Sequence, residues 1–386
     1  MNSRDYSQVA GGPQLRPAVR TMRWLAAIKI DFSLLVLVLS LCCFGLAALY
    51  SASDGDSGLI RRQAFIVGLG VIAMLTVAQF EMRLVRRVTM YVYLGGLALL
   101  GLVLWIGVEA NGARSWLDLP GLPSFQPSEL MKIIVPAVLA WYLSSRPLPP
   151  RLWQIIVAGL LVLVPTALIV LQNDMGTAML VAMAGFFVLL LAGMSLKLVA
   201  AGGLLVLLAS PLWYVFVALE HQKNRILSFI NPYTDPAGAG YNIIQSQIAI
   251  GSGGVYGKGF GEGDQSRLDF IPESNTDFIF AVIAEEFGLA GALVLIGLHA
   301  LLLARGLLIA VNAHNMFARL LAGGIVLIVF FNVYVNMAMV VGLLPVIGLP
   351  LPLISRGGTA IIALFVGFGL LMSINAHSRR SQPPRD

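Results

Sequence analysis

Charge is what this sequence has least of. Of 386 residues only 11% are Asp, Glu, Lys or Arg, against about 25% in an ordinary soluble domain. Together with 58% hydrophobic residues and a mean hydropathy of +0.86, that scarcity excludes a soluble enzyme, which could not hide so much apolar surface. It also excludes a disordered chain, whose composition is the opposite. Cysteine is nearly absent. Cys42 and Cys43 are adjacent in an apolar run, where helix neighbours point apart, so they predict neither a disulfide nor a metal site. This excludes a secreted disulfide scaffold. The four histidines, His221, His299, His314 and His377, show no metal-ligand spacing. No clear internal repeat appears, which weighs against an inverted-repeat transporter.

What the sequence does have is long apolar runs. A helix crossing about 30 Å of hydrocarbon needs about 20 apolar residues. Ten runs meet that length, at roughly 32–50, 64–80, 89–108, 127–145, 152–171, 175–195, 198–219, 277–304, 320–342 and 356–376. The first lacks an A-x-A exit, so it reads as a span and not as a cleaved signal peptide. The expected fold is therefore an all-α polytopic membrane protein with about ten transmembrane helices. A cytoplasmic tail (1–28) precedes a single membrane domain (29–377), and a short cytoplasmic tail (378–386) follows.

The net charge of +6 is distributed by side of the membrane, which argues for topology and against a nucleic-acid partner. With the N-terminus inside, the inner segments hold 16 of the 25 basic residues, and the short outer loops hold four: Arg61, Arg62, Arg114 and Arg356. Cytoplasmic loops carry such an excess, so both termini are expected inside. The outer face then carries a stretch at 109–126, a large loop at 220–276 between spans 7 and 8, and a Pro/Gly-rich hairpin at 343–355. Sites concentrate on loops of this kind, held by a rigid scaffold.

An ionisable residue at membrane depth costs roughly 2.5–3.5 kcal/mol on insertion scales, so each one is a functional candidate. In F-Q-P-S-E-L-M-K (125–132), Pro127 and Ser128 open a helix, and Glu129 and Lys132 share one face. They are either an internal ion pair or the lining of a polar cavity in which Lys132 meets an anionic ligand. Asp174 sits at a tight turn and is placed to cap the sixth span. In I-P-E-S-N-T-D-F (271–278) the chain re-enters the membrane at Asp277. A carboxylate there is either a cap or a general base with a raised pKa. Glu285 and Glu286, two turns deeper, read as partners in helix packing.

The run G-S-G-G-V-Y-G-K-G-F-G-E-G (251–263) lacks the strand and the GK[ST] ending of a nucleotide loop, so it reads as a flexible or re-entrant loop. Just before it, residues 241–250 have the pattern of a short amphipathic helix lying at the interface. Pro136, Pro165 and Pro211 fall inside spans, where proline kinks helices.

Eight stretches, in order, resemble the SEDS family (shape, elongation, division and sporulation). They are L-Y-S-A-S (49–53), G-A-R-S-W-L-D-L-P (112–120), F-Q-P-S-E-L-M-K (125–132), L-Q-N-D-M-G-T-A (171–178), residues 231–254, T-D-F-I-F-A-V-I-A-E-E (276–286), G-L-P-L-P-L-I-S-R-G-G-T (348–359) and G-F-G-L-L-M-S-I (367–374). They cover about residues 30–377, and the A-G-Y-N-I-I-Q-S form is closer to the elongation branch than to the division branch. Two positions depart from the family pattern. Asn275 stands where a histidine is usual, which removes a group that could titrate near neutrality. Arg356 stands where a tyrosine is usual, which adds a cation at the start of an outer helix.

The resemblance implies a peptidoglycan glycosyltransferase of the bacterial cytoplasmic (inner) membrane. It would polymerise lipid II, and undecaprenyl-pyrophosphate-linked glycan, at the outer face for elongation and rod shape. The implied partners are a class B penicillin-binding protein that crosslinks the glycan and other elongation-complex proteins. The family's essential acid corresponds to Asp277 and its functional outer-loop tryptophan to Trp116, while the F-Q-P-S-E-x-x-K motif brings in Gln126, Glu129 and Lys132. Arg114, Lys132, Lys258 and Arg356 are candidate clamps on the leaving pyrophosphate. No resident cofactor is expected, apart from a divalent cation such as Mg or Mn that would assist the clamps. The rival readings are a lipid II flippase, which needs a site near the midplane, and a non-catalytic scaffold, which leaves the outer carboxylate without a role.

Overall fold

Each of the ten apolar runs becomes a helix. A computed structural model describes residues 29–110, 112–118, 124–216, 218–234, 240–267, 270 and 273–381. The tail at 1–28, the last five residues, and the motif positions 119–123, 235–239, 268–269 and 271–272 lie outside the described residues. In chain order the helices are α1 (Phe32–Ala52), α2 (Ser57–Ala78), α3 (Met82–Ile106), α4 (Pro127–Ser144), α5 (Leu152–Leu171), α6 (Met175–Leu191), α7 (Leu196–Phe216), the shorter α8 (Glu220–Ile230) and α9 (Tyr241–Ser252), then α10 (Ile279–Val311), α11 (Met316–Val341) and α12 (Thr359–Ser381). Among the described residues eight are long and apolar enough to cross a membrane, and α6 is a shorter apolar helix. α4 is the tenth of the long helices. The pair Glu129 and Lys132 in its first turns lowers its hydropathy.

Helices α2 and α3 begin seven residues before their apolar runs, because Arg61, Arg62, Arg83, Arg86 and Arg87 sit on turns that continue past the hydrocarbon. Long basic side chains keep their stems on the apolar surface and their heads in water. Helix starts are fixed by side-chain caps. Asp31 accepts from Leu34 N, Asp174 from Thr177 N and Asn315 from Ala318 N, each satisfying an otherwise orphaned N–H.

The long helices alternate in direction, so the bundle has two distinct ends. One end is closed by Asp31, whose carboxylate takes Arg305 Nε (3.0 Å), Arg305 Nη2 (2.5 Å) and Asn375 Nδ2 (2.8 Å), tying α1, α10 and α12. The opposite end, called the site end below, carries the hairpin β1 (Val108–Ala110) and β2 (Ala113–Trp116) and the loops around Asp277. α4 and α11 form the buried centre of the bundle. α7 has no buried residue at all.

The glycine-rich run is neither a nucleotide loop nor a free one. α10 breaks at Gly288 (φ 63°, ψ −160°), so the N–H groups of Leu289 and Ala290 cannot reach Glu285 and Glu286 one turn back. The loop replaces those bonds reciprocally. Lys258 N and Gly259 N donate to the carbonyls of Glu285 and Glu286, and Leu289 N and Ala290 N donate to those of Gly254 and Val255, all at 3.0 Å. Non-helical backbone at membrane depth persists only where its polar groups are paired in this way. The approach is close enough that a Cβ on Gly257 would lie 2.0 Å from the Glu286 carbonyl oxygen.

Candidate active site

Asp277 lies two residues before α10 begins. The residue before that helix is Phe278, and no side chain caps it, so capping does not account for the aspartate. Its carboxylate makes no hydrogen bond or ion pair among the described residues. One oxygen faces Gly348, where an added Cβ would sit 3.4 Å away. Burial is the main cause that pushes its pKa from 3.8 up to about 6. The nearby charge of Glu273 adds to the rise and that of Arg225, on α8, opposes it. A carboxyl poised near neutrality with a free oxygen suits a general base.

The segment that carries Asp277 is pinned by its own main chain. The carbonyl of Asn275 accepts from Arg356 N (2.9 Å), that of Thr276 from Ser355 Oγ (2.5 Å) and that of Asp277 from Asn336 Nδ2 (2.9 Å). The hairpin after α11, residues 343–355, is thus built onto the aspartate's own backbone.

Gln126 joins the same end from the other side. Its Nε2 donates to Asp174 Oδ2 at 2.7 Å, while Asp174 Oδ1 caps α6. The turn holding Asp174 is tied to the β-hairpin, where Arg114 N donates to Gln172 O at 2.9 Å. Gly176 of that turn packs on Ile347 and Leu349, beside Gly348. A continuous set of contacts therefore runs from the strand bearing Trp116, through Gln126 and Asp174, to the wall beside Asp277.

The other predicted residues are placed differently. Glu129 and Lys132 form a buried ion pair (2.5 Å) one turn into α4, lining a narrow cleft with Asn332 of α11 and Ala360 of α12. Arg114 Nε donates to Gly107 O at 2.9 Å and Nη1 to Leu104 O at 3.4 Å, so its guanidinium closes the end of α3. Lys258 bonds Glu285 (2.7 Å) and Asp264 (3.0 Å), and its pKa is raised chiefly by the Glu285 bond. Glu286 accepts a short hydrogen bond from Ser51, in keeping with a packing role for both glutamates. Arg356 is exposed and forms no salt bridge among the described residues. It pairs with neither Asp277 nor Glu129.

Two residues of the site were invisible to sequence reasoning. Arg225 is one of four basic residues in the long loop 220–276, with nothing local to single it out, and Asn336 carries no charge. The one available signal for the latter was Asn332 and Asn336 at i, i+4 in an otherwise apolar span, since polar side chains there need partners.

Three comparisons bear on this arrangement. The sequence profile described as cell cycle protein, FtsW/RodA/SpoVE, matches residues 26–380. The peptidoglycan glycosyltransferase MrdB of Escherichia coli is 44% identical over 352 residues, covering 91% of this chain and 95% of MrdB. The probable peptidoglycan glycosyltransferase FtsW of Geobacter sulfurreducens is 36% identical over 359 residues, covering 90% and 95%. Among solved structures, a chain of a peptidoglycan synthase complex that coordinates polymerization and crosslinking superposes with a TM-score of 0.79 at 33% identity, covering 91% of this chain and 99% of that one. The crystal structure of the rod shape determining protein RodA of Thermus thermophilus gives 0.69 at 31% identity, covering 94% and 100%. The chain belongs to the FtsW/RodA/SpoVE family, the SEDS proteins, and is a multi-pass protein of the bacterial inner membrane.

The unpaired cation at the site end gives a direct expectation. Arg356→Tyr should raise the KM for a pyrophosphate-linked donor several-fold and leave the melting temperature unchanged, because an exposed side chain without a protein partner contributes little to stability. Unchanged donor kinetics would remove Arg356 from the binding site.

Proposed function

We propose that this protein is a peptidoglycan glycosyltransferase that polymerises lipid II at the outer face of the inner membrane for cell elongation, with Asp277 as its base. The observation that carries the reading is the free, half-buried Asp277 carboxylate, held near neutrality at one end of the bundle. In the reaction the carboxylate takes the proton of the acceptor 4-hydroxyl as that oxygen attacks the donor anomeric carbon. The bond to pyrophosphate breaks on the opposite face, which inverts the centre and gives a β-1,4 link. Pyrophosphate leaves as a stable anion, so a protein acid is not required. Arg356 and Arg225 are the cations assigned to it. Trp116 on β2 and Gln126 are assigned to substrate binding from the hairpin side of the same end, and the Glu129–Lys132 pair lines a cleft with Asn332. No cluster of three or more His, Cys, Asp or Glu among the described residues is arranged to hold a metal ion.

A class B penicillin-binding protein is the proposed partner, docking on the outer loops. The match to a chain from a synthase complex of polymerization and crosslinking supports this. The flippase reading is weaker, because alternating access works from a midplane site, whereas Asp277 and Arg356 lie together at one end. The deciding test is purified protein with lipid II, with moenomycin present to silence contaminating polymerases. Glycan strands on a gel support the reading, and translocation without polymer overturns it.

The outside placement of the site end has its own test. With Cys42 and Cys43 replaced by alanine, a cysteine at the exposed Ser252 should react with a membrane-impermeant thiol reagent added to whole cells. One at Asn312, exposed at the opposite end, should react only after permeabilisation. Outside labelling at position 312 would invert the topology.

A further inference from the structure

α11 runs through the buried centre of the bundle, and Asn336 on it is completely buried. Its amide nitrogen donates twice, to the carbonyl of Asp277 at 2.9 Å and to that of Leu349 at 2.6 Å. Leu349 follows Gly348, the residue that one oxygen of the Asp277 carboxylate faces. One amide thus holds both walls of the narrow space in which the carboxylate sits. Ser355 reinforces the clamp, donating to Thr276 O (2.5 Å) and accepting from Leu351 N (2.7 Å). Burying an amide at this depth is costly, and a leucine would fill the same volume at less expense to the fold. The oxygen of the Asn336 amide, moreover, finds no hydrogen-bond partner among the described residues. A group kept for packing alone would not be built with half of its polarity unmet.

We propose that Asn336 is the positioning residue of Asp277, its two amide hydrogens spanning the carbonyls of Asp277 and Leu349 so that the carboxylate stays aimed past Gly348 at the acceptor hydroxyl. This rests on the reading of Asp277 as the base. The charged groups that act on that carboxylate are Glu273, on the same segment, and Arg225, from α8. Both remain when Asn336 is changed, so a change in titration reports the altered geometry of the carboxylate.

The test uses the full-length protein in micelles with Asn336→Leu and Asn336→Asp, the latter keeping the volume and, when protonated, one donor. Polymerisation is followed across pH. Separately, a carbodiimide that reacts with protonated carboxyls measures the midpoint at which Asp277 labels. The expected result for Asn336→Leu is a kcat lower by about tenfold to a hundredfold, the scale set by misplacing a catalytic group by about 1 Å. KM for the lipid-linked donor stays within about twofold, the melting temperature is retained, and the labelling midpoint moves. Asn336→Asp is expected to fall between Leu and wild type. Folded variants with wild-type kcat and an unmoved midpoint would overturn the proposal. So would a loss of activity that only tracks a lower melting temperature, since that is what a packing role produces. If Asn336→Leu does not fold, Asn336→Asp decides by kcat set against melting temperature alone, since its new carboxyl would itself react with the carbodiimide and shift the titration of Asp277. If the wild type makes no glycan, the base assignment fails on its own, while the labelling midpoint still reports whether Asn336 sets the surroundings of Asp277.

Discussion

Asp277→Asn should insert, fold and bind its crosslinking partner like wild type, yet make almost no glycan. The substitution keeps the shape and one acceptor oxygen and removes the negative charge, and with it the capacity to take a proton. General-base catalysis contributes about 10²–10⁴-fold, so polymerisation by the variant should fall at least about a hundredfold. The wild-type rate should itself fall about tenfold per pH unit once the medium drops below the pKa of about 6 and level off above it. Stability should change in the opposite sense. An Asp that titrates at 3.8 when unfolded and about 6 when folded costs the fold stability wherever it is ionised, fully above about pH 6 and progressively less down to pH 3.8. Asp277→Asn should therefore melt no lower than wild type at pH 7, with any advantage fading on acidification. A well-folded Asn variant that polymerises within a few-fold of wild type would remove the catalytic assignment and restore the flippase reading.

The second large effect is expected from one methyl group. In Gly257→Ala the new Cβ would sit 2.0 Å from the Glu286 carbonyl oxygen, in a residue whose φ is +80°. Overpacking costs about 1–3 kcal/mol and the left-handed backbone about 1–2 kcal/mol more for a residue with a Cβ. A loss of at least about 2 kcal/mol follows, with the four loop-to-helix hydrogen bonds around Gly288 broken or stretched. The control is Gly254→Ala, where φ is also positive (+56°) but no atom lies within 4 Å, so that only the backbone cost applies. Thermal melting in micelles should separate the two. Equal shifts would show that the loop does not depend on the close approach.

How far the sequence carried depends on the length scale of each feature. Hydropathy located all ten long helices, because burial in hydrocarbon is a local demand on some twenty residues. Even α4 was found, although Glu129 and Lys132 dilute its apolar run. Their tolerance comes from a central position that no window can see. Asp277 and Asp174 were legible as isolated acids at span ends. The roles of the cations were not. Lys258 meets Glu285 across 27 residues and Arg114 folds back on its own α3, and such partners are fixed by tertiary geometry. Gln126 and Asp174, 48 residues apart, and Asn336 and Asp277, 59 apart, are likewise juxtaposed by packing alone. The glycine-rich run was legible as unusual. Its purpose was not, because the break it fills is at Gly288, one of four glycines in α10, and nothing in the sequence sets it apart from Gly291, Gly297 and Gly306.

α7 carries a different kind of message. None of its 21 residues is buried, so no neighbouring side chain specifies which of its leucines and valines stands where. In water such a helix would be unstable, but hydrocarbon solvates an apolar helix without any partner. Its residue order is thus close to degenerate, and permuting Leu204, Leu205, Val206, Leu207 and Leu208 among themselves would leave the same solute in the same solvent. The same shuffle in α11, where Asn332 and Asn336 occupy fixed addresses, would scramble the site. Drift along this chain should be fast in one helix and slow in the other at equal hydrophobicity, which makes α7 an internal clock against which the constraint on the rest of the bundle can be read.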